Sequence, residues 1–141
     1  MTVYIDTSVL AAYYCPEPLS EKVDAFITAQ RQPAISALTE IEMFSAISRK
    51  VREKSMDRHD AGRITAKFIS HLDGHYFIYL PVETHHFRLA RDWIGMFKLS
   101  LRTLDALHLA VASSEGLSIV TTDKSLLRSA KGLGLSGILL E

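Results

Sequence analysis

Asp6, Glu42, Asp105 and Asp123 are the residues of this chain best placed to do chemistry. Asp6 ends the apolar run Val3-Tyr4-Ile5, and Asp123 ends the run Leu117-Ser118-Ile119-Val120-Thr121-Thr122. Glu42 and Asp105 fall in the first turns of two expected helices, after Leu38-Thr39 and Thr103-Leu104. Carboxylates gathered at one place repel one another and cost stability unless a cation lies between them. Hard oxygen donors with little else suit Mg²⁺ or Mn²⁺. A divalent-metal site is therefore the first expectation, and phosphate chemistry is its commonest use.

Each acid also has a purely structural reading. Asp6 and Asp123 would cap the helices that follow them, with Thr122 or Ser125 as rival caps at the second place. Asp105 would answer the dipole of its helix N-terminus. Against this, an acid directly after a buried strand is poorly placed for a surface ion pair. A nearly all-apolar helix such as the one carrying Asp105 rarely holds an idle acid. Glu42 competes with Glu40, which lies two residues away on nearly the opposite side of the helix. Ser45, Ala46 and Arg49 share the stripe of Glu42, but spacing alone leaves both glutamates open. His108 lies three residues after Asp105 and can meet it on one face; a satisfied structural histidine is the preferred reading. His85-His86 face different ways, and no HExxH or CxxC pattern occurs, so no zinc site is expected. Gly132-Leu133-Gly134 follows a helix and lacks a Walker lysine, and there is no GxSxG elbow.

The elements that must position these acids alternate along the chain. Val3 to Asp6 reads as a short buried strand, and Thr7-Ser8 offers capping hydroxyls for the helix that follows. Ser20 to Gln30 has helical spacing, with Val23, Phe26 and Ile27 on one side. Ile35 centres a second strand, and a helix runs from about Thr39 to Lys54 with Ile41, Phe44, Ile47 and Val51 as its stripe. Asp57 to Ser70 is helical, Tyr76 to Leu80 is a strand ended by Pro81, and Thr84 to Met96 is helical again. Thr103 to Glu115 is a helix apolar almost all round, capped by Gly116. A strand over Leu117 to Thr121, a helix over Lys124 to Lys131 and a last strand at Ile138-Leu139-Leu140 complete the series. Such alternation predicts an α/β fold, one domain over residues 1–141, with a mostly parallel sheet covered by helices on both faces. Ligands of such sheets bind beyond the strands' carboxyl ends, where Asp6 and Asp123 lie.

Composition narrows the class. The chain has 141 residues, 48% of them hydrophobic, which suits one compact core. No apolar stretch reaches the roughly 20 residues a bilayer span needs, and the N-terminus does not read as a signal peptide. Cys15 is the single cysteine, so no internal disulfide forms, in keeping with a reducing cytoplasm. Before Pro16 it reads as a buried or incidental thiol. Lys and Arg number 16 against 16 Asp and Glu, so net charge points to no polyanionic partner. The distribution does: Arg49, Lys50, Arg52, Lys54, Arg58, Arg63 and Lys67 cluster in one stretch that would track a phosphate backbone or simply form a solvated helical hairpin. Trp93, Tyr13, Tyr14 and Phe97 are candidates for base stacking, with core packing as the alternative.

Four segments taken together resemble a PIN domain: Asp6-Thr7-Ser8, Ile35-Ser36-Ala37-Leu38-Thr39-Glu40-Ile41-Glu42, Leu104-Asp105-Ala106-Leu107-His108-Leu109-Ala110, and Val120-Thr121-Thr122-Asp123. The small size and the helix at Asp105 look most like the VapC-type toxins of toxin–antitoxin pairs. The resemblance spans nearly the whole chain, and its segments are specific only in combination. It implies an α/β/α sandwich and a ribonuclease using Mg²⁺, with Mn²⁺ as substitute. It selects Glu42 over Glu40, matches Asp6, Asp105 and Asp123 to the other three acids, and gives Ser8 and Thr121 as supporting hydroxyls. It further implies in-line hydrolysis of RNA to 5′-phosphate and 3′-hydroxyl ends, a homodimer, and a cognate antitoxin. Two other phosphate-handling folds fit poorly. A haloacid-dehalogenase-type phosphatase would want an Asp where Ser8 stands, and a receiver domain would want one where Pro81-Val82 stand. Two alternatives remain within the resemblance: a PIN-fold RNA-processing nuclease that is not a toxin, and a non-enzymatic binding module whose acidic pocket pairs with a partner's arginine.

Overall fold

The computed structural model describes residues 2–141, and its elements run in the order β1 (Val3–Ile5), α1 (Thr7–Tyr14), α2 (Ser20–Thr28), β2 (Ala34–Ser36), α3 (Ala37–Arg52), α4 (Arg58–Asp73), β3 (Ile78–Leu80), α5 (Thr84–Ile94), α6 (Thr103–Ser114), β4 (Ser118–Thr121), α7 (Lys124–Gly132) and β5 (Gly137–Leu139). The strands form one five-stranded sheet in the order β3-β2-β1-β4-β5, and every pairing is parallel. Among the described residues no helix is long and apolar enough to cross a membrane.

Strand side chains alternate between two faces, and each face has its own core. Val3 and Ile5 of β1, Ile35 of β2 and Val120 of β4 join Val9, Leu10, Val23, Ile27, Met43, Ile47 and Phe68, which come from α1, α2, α3 and α4. Tyr4, Ala34 and Ile119, one residue out of step, join Ala90 of α5, Leu126 and Ala130 of α7, and the buried run Ala106 to Ala112 of α6. The sheet is thus sandwiched as α/β/α. The apolar girth of α6 follows from its place against both the sheet and α5. Phe68 shows how the first core closes: it is fully buried and packs its ring against Tyr14, Phe44 and Phe77. Burying one such side chain contributes about 1.5–3 kcal/mol.

Two of the boundaries that differ from the sequence expectation have a clear local cause. Helix α3 starts at Ala37, because Ser36 caps it: the Ser36 hydroxyl accepts from the Leu38 and Thr39 amides, and the Thr39 hydroxyl accepts from the Ser36 amide. Strand β3 is confined to Ile78–Leu80, because Tyr76 stacks on His71 and Phe77 turns into the first core.

The strand order creates the crevice that matters. From β1 the chain builds outward through β2 and β3, then crosses back to place β4 on the other side of β1. The connections therefore diverge at the carboxyl ends of β1 and β4, the switch point where open α/β sheets bind ligands.

Candidate active site

Asp6 follows β1 at that switch point, and its amide continues the ladder by donating to the Val120 carbonyl at 3.1 Å. Its side chain is 5% exposed. One oxygen, Oδ1, accepts from the Ser8 hydroxyl at 2.6 Å and the Val9 amide at 3.1 Å; the other, Oδ2, accepts from the Thr121 hydroxyl at 2.6 Å. The same hydroxyls reach onward: Ser8 Oγ accepts from the Thr122 amide at 3.1 Å, and Thr121 Oγ1 from the Asp123 amide at 2.9 Å. Burial pushes the Asp6 carboxyl above the usual range, and the three hydrogen bonds oppose that shift. Asp6 is at once the N-cap of α1 and a buried acid at a strand end. The capping of α1 falls to Asp6, which frees Thr7 and Ser8 for carboxylates.

Glu42 projects from α3 toward the same end of the sheet. Its Oε1 accepts from the Thr7 hydroxyl at 2.6 Å and is bonded to His108 Nε2 of α6. Burial raises the Glu42 pKa, but the bonds to His108 and Thr7 outweigh it and hold the carboxyl below its ordinary value. His108 in turn meets the hydroxyl of Tyr4 through Nδ1 at 2.6 Å, and that hydroxyl contacts Ser36 Oγ at 2.8 Å and Thr39 Oγ1 at 3.2 Å. His108 thus serves Glu42, and not the Asp105 that precedes it on α6. Glu40 points elsewhere and accepts from the exposed Tyr79 hydroxyl at 2.7 Å.

Asp105, half-buried in the first turn of α6, lies 3.5 Å from Arg102 Nε. Asp123 is the N-cap of α7, its Oδ1 accepting from the Ser125 amide at 2.8 Å and the Leu126 amide at 3.4 Å. The structure joins Asp6 directly to Thr121 and through it to the Asp123 amide, and joins Glu42 to Thr7 beside Asp6. Among the described residues no three His, Cys, Asp or Glu side chains converge into a ready-made metal cage. The donor set still fits a hard cation. Mg²⁺ commonly keeps several waters and needs only one or two carboxylates, and both donors to Glu42 converge on Oε1, leaving Oε2 to other partners.

Sequence reasoning missed Tyr4 and Thr7. The one available signal was a tyrosine inside a buried strand, whose hydroxyl must find partners. Of the stacking candidates, Phe97 stands 91% exposed, whereas Tyr13 and Tyr14 pack edge to face in a cluster with Tyr76 and His71. A cleft of about 780 Å³ lies apart from the four candidate carboxylates, between Tyr14, Lys50, Met56, Ile64 and Lys67.

Comparison with known proteins gives concordant results. A family profile described as the PIN domain matches residues 3–132. Ribonuclease VapC46 of Mycobacterium tuberculosis is 30% identical over 139 residues, covering 96% of this chain and 95% of that protein. Among solved structures, VapC20 of Mycobacterium tuberculosis, described as a sarcin-ricin loop cleaving toxin, superposes with a TM-score of 0.73 at 15% identity, over 90% of this chain and 94% of that one. VapBC2 of Rickettsia felis, solved bound to a promoter DNA fragment, superposes with a TM-score of 0.69 at 16% identity over 100% of both chains.

Proposed function

Since the chain belongs to the PIN domain family, we propose that it is a metal-dependent endoribonuclease and the toxin of a toxin–antitoxin pair. The observation that carries this reading is Asp6: a carboxylate buried at the sheet's switch point, with all its donors supplied by Ser8, Thr121 and the Val9 amide. A lone structural cap would not need that burial. The likeness to a named ribonuclease along nearly the whole chain gives the reaction class.

Asp6 and Asp105 are the proposed principal holders of Mg²⁺ or Mn²⁺, with Glu42 and Asp123 completing the site directly or through water. A bound divalent cation supplies positive charge and Lewis acidity where a phosphodiester is cut. The protein's own part is preorganisation. Ser8 and Thr121 fix the Asp6 carboxylate plane, Thr7 and His108 fix that of Glu42, and neither needs to reorganise when substrate arrives. The exposed cations of α3 and α4 would hold the flanking RNA backbone. A cognate antitoxin and a homodimer are part of the proposal, the first supported by the fold shared with the VapBC2 toxin–antitoxin structure.

The test is cleavage of a mixed RNA pool by purified protein with Mg²⁺, with Mn²⁺ and with EDTA, beside Asp6→Asn prepared identically. Metal-dependent cutting absent from the variant is the expected result. Cutting that survives EDTA or the substitution would defeat the assignment, and a wild-type protein that binds an antitoxin yet neither binds metal nor cuts would favour the binding module.

A further inference from the structure

The polar chain running from Tyr4 to Glu42 does more than satisfy buried groups. Tyr4 is fully buried in the second core among aliphatic side chains, and His108 is 3% exposed. The donors and acceptors along it fix the direction of the chain. Ser36 Oγ already accepts from the Leu38 and Thr39 amides, and Thr39 Oγ1 already accepts from the Ser36 amide. Each hydroxyl still has its proton to give; the two lie 3.4 Å from each other, and Tyr4 Oη, at 2.8 and 3.2 Å, is the nearer acceptor for both. Tyr4 accepts there and gives its single proton along its shortest hydrogen bond, 2.6 Å, to His108 Nδ1. With Nδ1 accepting, the ring carries its proton on Nε2, the atom that meets Glu42 Oε1.

We propose that His108 is a positioning residue for the acidic site: Tyr4, Ser36 and Thr39 set its tautomer, and it pins Glu42 Oε1 together with Thr7 so that Oε2 is presented to the cation. The assignment rests on the metal reading given above and adds to it a residue outside the acidic set. It places the origin of Glu42's orientation on three elements at once, β1, the start of α3, and α6. A histidine bonded only for packing would not need its far nitrogen on a carboxylate that is itself 22% exposed to the site.

The measurement is Mn²⁺ affinity by calorimetry, with the metal-induced rise in melting temperature and the Mn²⁺ concentration for half-maximal RNA cleavage read in parallel. The proteins are wild type, His108→Leu, His108→Gln and Tyr4→Phe. Gln places an N–H donor near the position of Nε2, Leu places none, and Phe keeps the packing of Tyr4 while deleting the donor to Nδ1. Loss of such an outer partner typically weakens metal binding about 10–100-fold. His108→Leu should show a loss of that size, His108→Gln should recover most of it, and Tyr4→Phe should shift in the same direction as His108→Leu. Cleavage by His108→Leu should recover at high Mn²⁺. Folded His108→Leu, or Tyr4→Phe should the leucine variant not fold, binding Mn²⁺ like wild type would overturn the assignment alone. Wild-type protein that binds no Mn²⁺ would overturn the metal reading and this assignment with it.

Discussion

Ionising Asp6 carries a cost in the metal-free protein, since burial lifts its carboxyl above the ordinary value of 3.8. The sign follows from proton linkage. A folded pKa above the unfolded one means that the folded state holds the proton more readily. The carboxyl's contribution to stability therefore falls as pH rises from the ordinary value through the folded one. Asp6→Asn removes the charge and keeps an acceptor for Ser8 and the Val9 amide. Its melting temperature without metal should match wild type or exceed it by about 3–5 °C, the shift that roughly 1 kcal/mol makes in a domain of this size. Added Mn²⁺ should raise the melting point of wild type only. A variant melting far below wild type without metal would mark Asp6 as a structural cap. Asp6 and Asp123 were legible in the sequence because each ends an apolar run, a position with a physical meaning. Tyr4 was not, because a tyrosine inside Val3-Tyr4-Ile5 reads as packing, and its partners Ser36 and His108 lie 32 and 104 residues away.

Helix α5 shows how an element's stability is tied to pH. His86 closes a capping box at its start, with Nδ1 accepting from the Glu83 amide at 2.9 Å. Among the described residues its Nε2 is the one buried side-chain polar atom without a protein partner. Burial, with His85 beside it, lowers its pKa from 6.5. The unfolded chain therefore takes up a proton that the folded chain resists, so stability present above about pH 6.5 is lost as pH falls toward the folded value. Protonation would also destroy the Nδ1 acceptor and with it the cap. Glutamine at this position supports a capping box without titrating. His86→Gln should flatten the dependence of melting temperature on pH between 7 and 5; an unchanged slope would assign it to other groups, His71 first, whose pKa burial also lowers. Element boundaries followed the same division as residues. The helix carrying Asp105 was legible from its start at Thr103 to Gly116. The start of α3 was not, because Ser36-x-x-Thr39 closes its cap with a threonine where a glutamate or glutamine is usual.

Across the whole molecule charge is balanced, 16 against 16, yet it is not evenly spread. Arg49, Arg52, Lys54 and Arg58 are exposed and take no part in the salt bridges of the described residues, whereas Lys50 pairs with Glu17 and Arg63 with Asp60. If these four cations hold RNA, replacing them with glutamine should reduce the slope of log affinity against log salt. The reduction on a single strand is about 0.7 for each phosphate that the protein no longer neutralises. A slope that does not change would move the RNA to another face. Alternation of elements made the parallel, two-sided sheet legible, but not the order β3-β2-β1-β4-β5 that brings β4 beside β1, because long-range pairing leaves no local mark. That pairing has a consequence for when the protein becomes active. The bond from Thr121 to Asp6 joins residues 115 apart in the chain, so the Asp6 cradle cannot close until β4 has been synthesised and has docked. Chains emerge from the ribosome N-terminus first, and pairings this distant form late. The proposed active site, built this way, stays incomplete while the chain is still being made, so any cutting of RNA would begin only after the last strands have docked.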